Sequence, residues 1–106
     1  MDLDSTYTLD GRQQEASARY SLTETQQRQR VLELSVGLLI VRTELGEIWT
    51  EGFAEVSRFL EAVPLPTSDF RSAKSHLQNA LDYCQTQEFG AAAFELRVVR
   101  GVLQRL

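Results

Sequence analysis

A chain of 106 residues fits one domain, with a single core that buries about 60–70% of the surface exposed by the unfolded form. Its 42% hydrophobic and 25% charged residues exclude both wholesale disorder and a membrane-embedded chain. A formal net charge of −4 works against nonspecific nucleic-acid binding, which draws its affinity from neutralising phosphates.

Cys84 is the sole cysteine, so no intrachain disulfide is expected, and a reducing cytoplasm is the simplest home. Residues 1–12 carry Asp2, Asp4 and Asp10 and lack the basic region followed by an apolar stretch that marks a secretory signal. The most apolar run, 31–41, is flanked by Arg30 and Arg42 and is too short for a membrane span, which needs about 20 residues.

Residues 1–20 lack helical periodicity and are predicted to form an extended polar arm. Asp10-Gly11 offers a turn signal and, as a rival reading, a β-hairpin. The remainder, 21–106, reads as one all-α domain: a small bundle of three to four helices over about 22–45, 47–63, 68–85 and 88–105. Ser21 or Thr23 is suited to cap the first helix, with Glu24 placed favourably against its dipole.

From Val31 onward Leu34, Leu38, Val41, Leu45, Ile48, Trp49, Phe53, Val56, Leu60 and Val63 recur by threes and fours without a proline. This pattern marks one face of a long central helix, or of two consecutive helices with a bend near Gly46. The rival for 31–41 is a β-strand, because Leu32, Leu34, Val36, Leu38 and Ile40 share a face at period two. Pro64-Leu65-Pro66 ends the segment. Thr67 or Ser68 is suited to cap a third helix with Phe70, Ala73, Leu77, Leu81 and Cys84 on its inner face. A short turn over 85–88, with Thr86 as a candidate cap, leads to a fourth helix carrying Phe89, Ala92, Leu96, Val99, Leu103 and Leu106. So short a link predicts an antiparallel helical hairpin.

The first half of the stripe is overfull. Beside Val31, Leu34, Leu38 and Val41, the opposite side carries Leu32, Val36, Leu39 and Ile40, and a helix apolar all round must be covered all round. The side of Leu32, Val36, Leu39 and Ile40, with Gly37 allowing close backbone approach, is therefore the expected interface with a second copy or another protein.

Glu44, Glu47, Glu51 and Glu55 form a ridge at three- and four-residue spacing, readable as a solvated face, a docking surface for a basic partner or a weak divalent-cation site. Arg97, Arg100 and Arg105 on the last helix could pair with it. Arg12, Arg19, Arg28 and Arg30, interleaved with Tyr20 and glutamines, are the one stretch resembling a nucleic-acid contact surface.

His76 and Cys84 are eight residues apart on one helix, about 12 Å of rise, too far for a nucleophile–base pair. An exposed histidine and a buried cysteine are the expected arrangement. No zinc or di-iron ligand spacing and no glycine-rich phosphate loop occurs in the sequence, so no cofactor, metal or small-molecule ligand is predicted.

Ala80, Tyr83, Phe89, Ala92 and Leu96 have a spacing similar to the small and aromatic positions of a tetratricopeptide-type helical hairpin, over about a fifth of the chain. That likeness implies a helix–turn–helix packing mode and nothing about ligands. His76 and Asn79 stand where the pattern has a large apolar pair, and no second copy recurs at a period near 34, so the family is not assigned. The functional expectation is a noncatalytic interaction or adaptor module, acting as a homodimer or as a subunit of a complex. The alternative is a small dimeric regulator contacting nucleic acid through its N-terminal arginines.

Overall fold

The computed structural model describes residues 24–106; the expected arm, its hairpin alternative, the Ser21 and Thr23 caps, Arg12 and Arg19 lie outside them. Four helices make up the described residues: α1 (24–44), α2 (Thr50–Ala62), α3 (Thr67–Gln85) and α4 (Phe89–Gln104). The run 31–41 is helical, and no strand occurs among the described residues.

The long stripe breaks where glycine permits it. Gly46 has φ +81; the Glu47 N–H bonds Arg42 O at 3.0 Å, and the Gly46 N–H bonds Thr43 O at 2.9 Å. This paired closure is the Schellman motif, which satisfies carbonyls left open at a helix C-terminus and favours glycine at the left-handed position. Trp49 then opens α2, its carbonyl accepting the Phe53 N–H at 3.2 Å.

Pro64 ends α2 as expected. Val63, the residue before it, is extended at φ −91 and ψ 130, the conformation imposed by proline's ring on its predecessor. Neither Thr67 nor Ser68 acts as the expected side-chain cap: α3 starts at Thr67 itself, with Pro66 in the N-cap position. Proline's fixed φ suits helix entry, and its missing N–H costs nothing there.

The α3–α4 turn repeats the Schellman closure. The Glu88 N–H bonds Tyr83 O at 2.8 Å, and the Gln87 N–H bonds Cys84 O at 3.0 Å. Thr86 serves the end of α3 rather than the start of α4, its hydroxyl shared between Tyr83 O at 3.1 Å and the Glu88 carboxylate at 2.7 Å. The left-handed residue here is Gln87, at φ 61, where a β-carbon is strained by roughly 1 kcal/mol. Gln87→Gly is therefore expected to raise stability by about 1 kcal/mol, or roughly 4 °C in Tm by calorimetry.

α3 and α4 pack as an antiparallel hairpin, with His76 and Asn79 of α3 both bonded to Glu95 of α4. Lys74 ties α3 to α2 by donating to Ser57 Oγ at 2.6 Å and Glu61 Oε1 at 3.3 Å. Running antiparallel to both α2 and α4, α1 lies between them. On one flank Val31 shares a cleft with Phe59 and Val63; on the other, Gln29 Nε2 donates to Leu103 O at 2.9 Å.

One core joins the elements: Leu32, Val36, Leu39 and Ile40 of α1; Phe53, Val56 and Leu60 of α2; Ala73, Leu77, Ala80 and Cys84 of α3; Ala92, Leu96, Val99, Val102 and Leu103 of α4. The expected inner faces of α2, α3 and α4 are inward, except that Leu106 is exposed. In α1 the expectation is reversed. Leu32, Val36 and Leu39 are 0% exposed, whereas Leu34 and Leu45 are 69% and 72% exposed. The Gly46 break is the physical reason: α2 leaves in a new direction, so the α1 stripe is no longer in phase with Phe53, Val56 and Leu60.

Candidate interaction surface

The side predicted to meet a partner, Leu32, Val36, Leu39 and Ile40, is the buried side of α1, and Gly37 lies half-buried at its margin with open space where a β-carbon would point. These residues sit at i, i+4, i+7 and i+8, joined at i+11 by buried Thr43. Such a set covers the wide stripe by which a helix packs into a bundle. Facing away from the core are Val31, Leu34, Leu38, Val41 and Leu45, followed by Ile48 in the connection to α2, all large and all exposed. From Val31 to Leu45 the steps of three, four, three and four follow a heptad a/d row, the narrower seam by which one helix meets another. The sequence shows both sets, and the expected assignment of inner and outer side is the reverse of the observed one.

The glutamate ridge does not survive as one surface. Glu44 ends α1, Glu47 lies in the connection, and Glu51 and Glu55 belong to α2. Glu44 is bonded by Arg97 of α4, the one expected pairing between ridge and arginines that forms. Glu47 pairs with Arg42 at 3.7 Å. The Arg42 guanidinium also stands 4.1 Å from the centroid of the Trp49 ring, a cation–π contact that holds the α1–α2 corner. Among the described residues no group of three or more His, Cys, Asp or Glu side chains could hold a metal ion.

Arg28 and Arg30 do not share a face: Arg28 lines the cleft with Phe59 of α2, and Arg30 lines a separate polar cleft beside Leu106. His76 is half-buried rather than exposed, its Nδ1 2.6 Å from Glu95 Oε2. Asn79 Nδ2 donates to the other carboxylate oxygen at 3.2 Å. These two residues, which interrupt the apolar pattern of α3, were the sequence signal for a polar clasp across the hairpin.

Cys84 is buried, as expected. Burial pushes its thiol ionisation up, partly offset by the Thr43 hydroxyl. That contact is a loose one, because Thr43 Oγ1 has no hydrogen-bond partner of ordinary geometry. A thiol whose ionisation is raised by folding adds stability below its ordinary pKa of about 9.0 and loses that contribution as pH rises through and beyond this value. In urea titrations across this range the native chain is expected to lose more stability than Cys84→Ala does. Native Cys84 is also expected to resist a thiol reagent until the chain unfolds.

No protein-family model matches the chain, and no curated protein or solved structure is significantly similar to it. No helix among the described residues is long and apolar enough to cross a membrane.

Proposed function

We propose that this protein is a noncatalytic α-helical interaction module whose outward α1 face docks a helix of a protein partner. The supporting observation is the exposed heptad row from Val31 to Leu45, continued by Ile48. Singly exposed apolar residues are normal on a protein surface, but a contiguous row in helical register is a feature of interaction sites. Helix-in-groove and coiled-coil recognition both read apolar anchors at this spacing. The buried single thiol suits a reducing, cytoplasmic setting.

Affinity capture with the native chain, run beside Leu34→Glu/Leu45→Glu, tests the module. Both positions are well exposed, so the variant is expected to keep its far-ultraviolet circular dichroism while losing the proteins retained by the native chain, free second copies included. A variant that retains the same proteins removes the α1 face from the reading.

A further inference from the structure

We propose that the α1 seam is a self-association surface, and that two copies pair through it antiparallel. This inference rests on the module reading above and names the partner as a second copy of this chain.

The seam is its own complement when reversed. Within the helix and its C-cap the spacing reads the same from Leu34 to Leu45 as from Leu45 to Leu34. A two-fold axis across the helix therefore sets Leu34 against Leu45 of the second copy and Leu38 against Val41. Such a pairing is isologous and closes at two chains. Each facing pair combines two large apolar side chains that the single chain leaves exposed.

The flanks decide the orientation. In antiparallel pairing like flanks run side by side. Arg42 then lies beside Ser35 of the second copy on one side, and Glu44 beside Gly37 on the other, so no like charges meet. Gly37, where a β-carbon would point into open space, lets the second helix approach closely. Parallel pairing would instead place Glu24, one heptad before Val31, against Glu24 of the second copy within the seam, with Gln27 facing Gln27. Like charges in direct opposition oppose association.

The α1 row is about 21 Å long, at 1.5 Å of rise per residue. Two such rows bury on the order of 1,000 Å² in total, the lower end for a specific interface. A reversible dimer is expected rather than a permanent one.

Sedimentation of the full chain tests the pairing. The mass is expected to rise from 12.0 kDa toward twice that value as concentration increases through the micromolar range, and to remain that of one chain in Leu34→Glu/Leu45→Glu. Orientation is read by mixing Leu34→Cys and Leu45→Cys chains under mild oxidation, with circular dichroism confirming that both are folded. The mixed disulfide is expected to dominate, because two copies of position 34 lie about 16 Å apart along an antiparallel pair. Dominant Leu34→Cys homodisulfides would overturn the antiparallel arrangement, and a native chain that stays monomeric would overturn self-association altogether. If that monomer still captures proteins lost by the Leu34→Glu/Leu45→Glu variant, the module reading stands without the dimer. Loss of neither signal in the variant removes both.

Discussion

Replacing Leu39 by alanine is expected to lower the unfolding free energy by about 3 kcal/mol, whereas alanine at its neighbour Leu38 changes it by less than about 0.5 kcal/mol. The two side chains are chemically identical and adjacent, but Leu39 is 0% exposed and Leu38 49%. Truncation at Leu39 removes buried apolar area and leaves a cavity among the side chains of four helices; truncation at Leu38 removes atoms already in contact with water. Urea unfolding of dilute, monomeric protein measures the difference, and equal losses at the two positions would contradict the orientation of α1. Because the Leu38 face is the proposed seam, the same pair separates folding from association: Leu38→Ala is expected to weaken the dimer while leaving the monomer's midpoint in place.

The second large effect is expected at Gly52, where two familiar contributions oppose each other. In a helix interior alanine is favoured over glycine by about 1 kcal/mol; Gly52 is the third residue of α2, so Gly52→Ala would ordinarily stabilise the helix by part of that amount. Here a β-carbon would stand 2.8 Å from Cζ3 of Trp49 and nearer still to Cε3 and Cδ2. Atoms in ring and backbone cannot share that space, so the indole must move, and it carries the Arg42 guanidinium stacked on its face. Displacing the ring uncovers apolar surface and breaks the α1–α2 corner, an overpacking cost typically of 1–3 kcal/mol. A net loss of about 2 kcal/mol is expected, together with a red-shifted Trp49 emission as the indole meets water. An unchanged emission spectrum with higher stability would show that the corner is not built on this contact.

Both effects trace to residues whose role could be read only in part from the chain. Trp49 and Gly52 are three apart, and their spacing predicts that they share a helix face; it does not reveal that Trp49 stands at the N-cap with its ring lying over the glycine. Gly46 marked the bend because left-handed backbone is cheap only for glycine, and the structure breaks there. Gln87 gave no such signal: its left-handed conformation is imposed by the closure of α3 against α4, a long-range demand that overrides local preference. Likewise Glu95 looks like any surface glutamate until the hairpin brings it beside His76 and Asn79.

Local chemistry in the sequence was sufficient for the all-α class, the stop at Pro64, the antiparallel α3–α4 hairpin and the inner faces of α2 and α3. Proline geometry, apolar periodicity and short links act within a few residues, so these features are visible without the partners they later meet. Which side of α1 faces inward was decided by tertiary structure alone. Both sides are apolar, and hydrophobic burial is proportional to area without regard to direction; α1 therefore turns toward whichever side α2 and α4 cover once Gly46 has redirected the chain. The wide set of Leu32, Val36, Leu39, Ile40 and Thr43 fills the space between those helices, and the narrow seam from Val31 to Leu45 is left facing water.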